Sequence, residues 1–419
     1  MKIDVMTKDK DIKTVVPALR FPEFRKDERW KIVLLGEVCD VIGGGTPDTK
    51  EESYWNGDIL WLTPSEVGNR FISNSCRKIT LSGLKNSSAK LLPVGSIVLT
   101  TRATLGEMSI LATEASTNQG FQSLVPKHGT NKDYIYYLQP IIKEQCLRFS
   151  KGSTFLEVSN TSVKNFQIPF TSNEEQEKVA DCLSSLDDLI SAVADKIETL
   201  KEYKKGLMQQ LFPAEGKTIP AIRFPEFQNA GEWKQIKLGD VGDPLMCKRI
   251  LKEQTTNDAV GNIPFYKIGT FGGNPDAYIS KDILEDYKRK YSYPNKGDIL
   301  ISAAGTIGRL VVFDGKPAYF QDSNIVWIGN SEIKVLNTFL YCVYQTLKWQ
   351  TSDGGIVSRL YNNNLKNMTI IYPENKIEQQ KIADCLSSVD ELISDETAKL
   401  DQLKTHKKGL MQQLFPKLQ

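Results

Sequence analysis

Residues 178–213 read KVADCLSSLDDLISAVADKIETLKEYKKGLMQQLFP, and residues 381–416 read KIADCLSSVDELISDETAKLDQLKTHKKGLMQQLFP. The two stretches lie 203 residues apart and agree at 24 of 36 positions without a gap. In the first, apolar side chains fall at Val179, Leu183, Leu186, Ile190, Val193, Ile197, Leu200, Leu207 and Leu211, with Lys204 in one slot of the series. In the second they fall at Ile382, Leu386, Val389, Ile393, Leu400, Leu403, Leu410 and Leu414, and the stripe breaks at Thr397 and Lys407. Steps of four and three sustained for about five heptads are a coiled-coil seam. Thr171, Ser172 and Asn173 before Glu174 and Glu175 suit a helix start, and Pro213 and Pro416 suit a stop. Thirty-six residues make about 54 Å of helix. Packing inside a globular bundle is the other reading of such a stripe. The length and the near-identity of the copies favour pairing of the two helices with each other.

The repeat extends outward at the same offset. PALRFPEF at residues 17–24 returns as PAIRFPEF at 220–227, and Trp30 and Leu35-Gly36 return as Trp233 and Leu238-Gly239. A period near 200 residues is too long for a solenoid unit. It describes two copies of one module, each closed by a long helix. Residues 25–173 and 228–374 diverge between the copies, so a shared scaffold carries two different surfaces. Residues 1–24 form an N-terminal arm, 174–214 and 375–419 the helical segments, and 215–227 a linker.

Inside the divergent blocks, short strands are expected at Asp58-Ile59-Leu60-Trp61-Leu62, in GSIVLT from Gly95 and in GDILIS from Gly297. Turns are expected at Gly43-Gly44-Gly45-Thr46-Pro47, Asn56-Gly57, Gly272-Gly273-Asn274-Pro275 and Asp353-Gly354-Gly355. Both blocks therefore read as mixed α/β, and the whole chain as α+β. GSIVLTTRATLG (95–106) aligns with GDILISAAGTIG (297–308), a faint common frame beneath the divergence.

Composition narrows the chemistry. The 419 residues are 40% hydrophobic and 25% charged, ordinary for a soluble protein of two to three domains. No apolar run approaches the roughly 20 residues of a membrane helix, and MKIDVMTKDKDIK lacks the apolar core of a signal peptide. The chain is expected in the cytoplasm. Seven cysteines without a CxxC pair argue against a disulfide framework, and His128 and His406 alone supply too few ligands for a zinc site or a histidine triad. There is no GxGxxG and no GxxxxGK[ST]; Gly216-Lys217-Thr218 reads as linker. Asn-Pro-Pro-Tyr and Asp-Pro-Pro-Tyr are absent, and Pro47-Asp48-Thr49-Lys50 lacks the second carboxylate and strand lysine of a metal-dependent nuclease. Residues 25–173 and 228–373 each carry 17 Lys and Arg against 14 Asp and Glu. That charge permits nucleic-acid binding without demanding it.

Two divergent blocks, each preceded by RFPEF and followed by a copied helix ending KKGLMQQLFP, resemble the specificity subunit of a type I restriction–modification enzyme across nearly the whole chain. Trp30…Leu35-Gly36-Glu37-Val38, Trp233…Leu238-Gly239-Asp240-Val241 and Gly44-Gly45-Thr46-Pro47 belong to the same likeness. The resemblance implies two target recognition domains, each reading half of a split asymmetric sequence in double-stranded DNA. It implies that the helices form an antiparallel coiled coil, with a pseudo-two-fold repeat, which spaces the domains and docks two modification subunits. It implies that those methyltransferase partners bind S-adenosylmethionine, that restriction subunits bring ATP- and Mg-dependent translocation and cleavage, and that this chain has no catalytic site, cofactor or metal of its own. DNA contacts are expected from basic and aromatic residues beside Gly-rich turns. They are Lys50, Tyr54, Arg102 and Lys151 in the first domain, and Lys248, Arg249, Arg309, Arg359 and Tyr361 in the second. Lys288-Arg289-Lys290 reads as a solvated helix face. The alternative function is a non-catalytic coiled-coil scaffold that organises protein partners without reading DNA.

Overall fold

The two copied stretches form helices of 39 residues each, Asn173–Leu211 and Lys376–Leu414, about 58 Å long. The computed structural model describes residues 13–150, 156–349 and 359–418. The chain divides into two compact units, and the division falls within the long helices. One unit takes the chain to Ala194 together with Ala398 onward; the other takes Asp195–Thr397.

In the first unit, a five-stranded sheet runs in the order Cys39–Gly43, Gln122–Pro126, Ile97–Leu99, Met108–Leu111, Phe71–Ile72. Its strands pair antiparallel except the last two, which are parallel. A second sheet sets Trp55–Leu62 between Arg77–Ile79 and Ala115–Thr117. A third joins Thr14–Val15, Trp30–Leu34 and Gln167–Phe170. The helices Lys132–Tyr137 and Gln139–Phe149 supply Tyr134, Ile135 and Ile142 to a core with Trp30, Ile97 and Leu124. The second unit repeats the plan with different strands. Ile299–Ser302 and Ile325–Ile328 are wholly buried at the centre of a four-stranded sheet. Helix Asn337–Thr346 packs Phe339, Leu340 and Val343 into the core around Trp233. Continuous apolar runs such as Ile299-Leu300-Ile301 are what a strand covered on both faces requires.

RFPEF and the tryptophan that follows it lock each unit to its helix. The Arg20 fork meets the Glu175 carboxylate at 2.7 and 2.8 Å, and the Trp30 indole donates to Glu175 at 2.9 Å. The copy repeats this at Arg223, Glu378 and Trp233, at 2.6, 2.7 and 3.3 Å. Glu175 and Glu378 are buried; a buried carboxylate persists only when paired and hydrogen-bonded. The sequence suggested for Glu175 only the place of an acidic first-turn residue after a helix cap.

No residue of the expected seam is exposed. Val179, Leu183, Val193, Ile197, Leu211, Ile382, Leu386, Val389 and Leu414 are buried, and Leu186, Ile190, Leu200, Leu207, Ile393, Leu400, Leu403 and Leu410 are half-buried. Helix-on-helix packing is not the whole account, however. Val179 and Leu183 enter the first unit's main core together with Leu414 and Phe415. Ile382 and Leu386 enter the second's with Leu211 and Phe212. Within each unit, then, the start of one long helix lies against the end of the other, which is antiparallel. The seam lysines have acidic partners. Lys407 pairs with Asp187 in the first unit, and Lys204 with Asp390 at 2.7 Å in the second. Asp187 and Lys204 are the repeat counterparts of Asp390 and Lys407, so one ion pair occurs twice. The break expected at Thr397 is displaced by one residue. Thr397 is exposed, and Glu396, the counterpart of Val193, turns inward and pairs with Lys196 at 2.5 Å. The step after Ile393 is three, not four, as it is after Ile190.

Candidate nucleic-acid interface

Each unit carries the same hairpin at one end of its main sheet. In the first, Thr100 accepts the Gly106 N–H at 2.8 Å and donates its own to Glu107 at 2.9 Å. In the second, Ser302 does the same with Gly308 at 3.0 Å and Arg309 at 2.9 Å. Gly106 and Gly308 sit at φ of 80° and 82°, in the left-handed region that glycine enters without a Cβ penalty. Behind the hairpin a second turn closes in. Thr101 donates to the Gly120 carbonyl at 2.8 Å, and Ala303 to Asn324 at 2.7 Å. A third segment seals the edge through Val158 to Thr101 at 3.1 Å and Leu360 to Ala303 at 2.8 Å. Three loops thus converge on one rim in each domain.

In the second domain the rim gathers most of the expected contacts. Arg359 donates to the Ser323 carbonyl at 3.0 Å, Arg249 reaches Asp322 at 3.4 Å, and the Lys248 carbonyl accepts the Tyr319 hydroxyl at 2.9 Å. Arg309 extends from the hairpin and donates to the Phe271 carbonyl at 2.7 Å. The Lys248 ammonium stands 5.2 Å from the Tyr291 ring, and Tyr361 is exposed beside Leu360. The first domain gathers fewer. Arg102 lies on the rim, paired with Glu157 at 2.6 Å. Lys50 is exposed, and its backbone N–H donates to the Asp48 carboxylate at 2.9 Å. Tyr54 is half-buried against Trp55, Trp61 and Ile79, which makes it a packing residue. Lys151 lies outside the described residues. Lys288, Arg289 and Lys290 are exposed at the end of helix Lys281–Lys290, and Lys288 reaches over Tyr293.

One basic residue was not singled out by sequence. Arg77 lies directly across the sheet from Trp61, with its guanidinium 3.6 Å from the centre of the Trp55 ring. Two tryptophans within a single strand, Trp55 and Trp61, were the available signal. A solvent-exposed guanidinium stacked on an indole is a flat, preorganised donor.

Burial pushes the thiols of Cys39, Cys146, Cys247 and Cys342 up to about 12, so none is a nucleophile near neutral pH. Among the described residues no group of three or more His, Cys, Asp or Glu is placed to hold a metal ion. No helix among them is long and apolar enough to cross a membrane.

The family described as "Type I restriction modification DNA specificity domain" matches residues 27–202 and again 230–405. The type I restriction enzyme MjaIX specificity subunit of Methanocaldococcus jannaschii is 30% identical over 383 residues, 84% of either chain. A putative type I restriction enzyme specificity subunit of Haemophilus influenzae, S.HindORF215P, is 58% identical over 164 residues, which span 39% of this chain and 42% of that one. In fold, the chain is similar to the S subunit of a type I restriction–modification system from M. genitalium, with a TM-score of 0.63 over 97% of this chain and all of the other, at 16% identity. Duplicated units, duplicated long helices and a doubled family match agree, and the chain belongs to the type I restriction–modification specificity subunits, with two recognition domains.

Proposed function

We propose that this chain is the DNA-reading subunit of a type I restriction–modification complex, each domain recognising one half of a split, asymmetric target in double-stranded DNA. The observation that carries the reading is the contrast between frame and rim. The frame repeats residue for residue, in Arg20, Trp30, Glu175 and their copies Arg223, Trp233 and Glu378. The rims repeat in backbone but differ in side chains, as two readers of different sequences require. The long helices space the domains and dock two modification subunits. Those partners bind S-adenosylmethionine and methylate, restriction subunits supply ATP- and Mg-dependent cleavage, and this chain contributes no catalytic group. The complex works where its DNA lies, in the cytoplasm.

Two measurements test the reading. Duplex binding by the purified chain should weaken steeply with salt, because phosphate contacts release counterions. Replacing residues 25–173 by another such domain should change one half of the methylated motif and leave the other intact. Salt-insensitive or absent duplex binding would instead indicate a scaffold for protein partners, and a change in both halves would count against independent readers.

A further inference from the structure

Two backbone bridges on the rims, Arg102 with Glu157 and Ala304 with Arg359, are the same bridge in the two domains. Both members shift by 202 residues, as does the hairpin, and both bridges are antiparallel. Each carries one arginine, but on opposite strands: the first domain has it on the hairpin, the second on the sealing segment. We propose that this bridge is the guanine-reading position of each recognition domain, with Arg102 and Arg359 as the reading side chains. The inference rests on the DNA-reading function proposed above and assigns the residues that carry it.

The exchange of strands is the telling observation. An arginine kept for packing would stay with the neighbours that need it, hence on one strand. A guanidinium required at a point in space, by something outside the protein, is supplied equally well from either. The neighbours do differ. Arg102 is held by the Glu157 carboxylate at 2.6 Å, Arg359 by the Ser323 carbonyl at 3.0 Å. The contacts to Glu157 and Ser323 each use one terminal nitrogen of a group with five N–H donors; the Arg102 Nε is buried, so the remaining terminal N–H groups are the ones that can bind. Arg102 and Glu157 are 43% and 47% exposed as side chains, and an ion pair so placed contributes little to stability. The supporting backbone is rigid, because the hairpin grows from buried strands, Ile97–Leu99 and Ile299–Ser302. Ala103 and Gly305, the residues after Arg102 and Ala304, both take positive φ, 57° and 64°, which turns the chain sharply at the bridge. A guanidinium fixed in this way has the geometry to donate two parallel hydrogen bonds to O6 and N7 of guanine in the major groove.

The test uses the full chain assembled with its modification subunits, S-adenosylmethionine and a random-sequence duplex library, with the methylated motif read by sequencing. Arg102→Ala should relax one position in one half-site, a guanine on one strand, by roughly 5- to 150-fold, and leave the other half unchanged. Arg359→Ala should do the same in the other half. With the unaltered complex, 7-deazaguanine replacing that single guanine should weaken methylation by a similar factor, since the N7 acceptor is gone. This arm decides the matter if a variant does not assemble. An unchanged motif in both variants overturns the inference. So does uniform weakening across all sequences with a shallower salt dependence, which marks a phosphate contact. So does a half-site with no guanine on either strand. If the unaltered complex methylates without sequence preference, the proposed function falls as well, and that outcome is distinct from the others.

Discussion

Taking a carboxylate out of water costs several kcal/mol, so Glu175, 1% exposed, is tolerated only through its partners. Both oxygens are engaged by Arg20, and Oε2 also accepts from Trp30 and from Thr171 at 2.5 Å. The value of the cluster is geometric: it fixes the angle at which the chain enters the long helix. Glu175→Ala leaves Arg20, 8% exposed, buried without its counter-charge. We expect a loss of about 3–5 kcal/mol, and the same for Glu378→Ala in the second unit, measured by urea unfolding. A loss below about 1 kcal/mol would mean that water replaces the carboxylate and the cluster is not a lock. At this scale the sequence was half legible. RFPEF and the tryptophans advertised themselves by repeating, but nothing local joins Arg20 to a glutamate 155 residues away.

At the scale of the element, the long helices combine an apolar stripe with one polar pair used twice. Lys407 and Asp187 are about one-fifth exposed, and Tyr137 donates to Asp187 at 2.8 Å. An apolar stripe alone tolerates sliding by a heptad, whereas a partly buried charge must meet its partner. Asp187→Ala should therefore cost about 1–3 kcal/mol, the penalty for a half-buried ammonium without its acceptor. The double change Asp187→Leu with Lys407→Leu should recover most of that loss, because apolar isosteres often match a buried pair. Unfolding measurements on the two variants decide it. A double variant no more stable than the single one would mean that the pair contributes net stability and not only register. The periodicity exposed the helices and the lysine slots. It misplaced the second copy's break, because counting steps of four and three from apolar residues alone is ambiguous where Glu396 interrupts the stripe.

For the whole molecule, the decisive contacts are those of the two helix tails. Phe415 stacks edge-on against Trp30 and Tyr134, with ring centres 6.5 and 5.6 Å apart, and Phe212 sits against Trp233 and Phe339 at 5.9 and 5.6 Å. Each tail completes the core of the other copy's domain. A fragment ending near Ala214 would lose Leu414 and Phe415 from its own core and carry Leu211 and Phe212 with no core to enter. Exposed apolar area costs about 25 cal/mol per Å². Because KKGLMQQLFP is identical in the two copies, a second fragment can supply the missing tail. The fragment should therefore form a two-fold homodimer, and with modification subunits it should methylate a palindrome built from the first half-site. Sedimentation provides the first check, and a soluble monomer at micromolar concentration would contradict the exchange of tails.

The repeat, the two long helices, the short buried strands and the lack of catalytic motifs were all determined by sequence alone. Each is a local or self-referential signal: a period, a run, or a stretch that matches itself. The tertiary structure decided two further matters. It chose which tail enters which core, a choice on which the sequence is silent because the tails are identical. A helix of 39 residues is about 58 Å long, so its two ends enter different cores: Val179 and Leu183 pack around Trp30, Leu211 and Phe212 around Trp233. It also decided which basic residues share a rim. Arg249 and Arg359 meet at the turn around Asp322 and Ser323 through strand pairing between distant segments, while Tyr54 is drawn into the packing around Trp55. Pairing of that kind is set by the burial of whole strands, and no short window of sequence contains it.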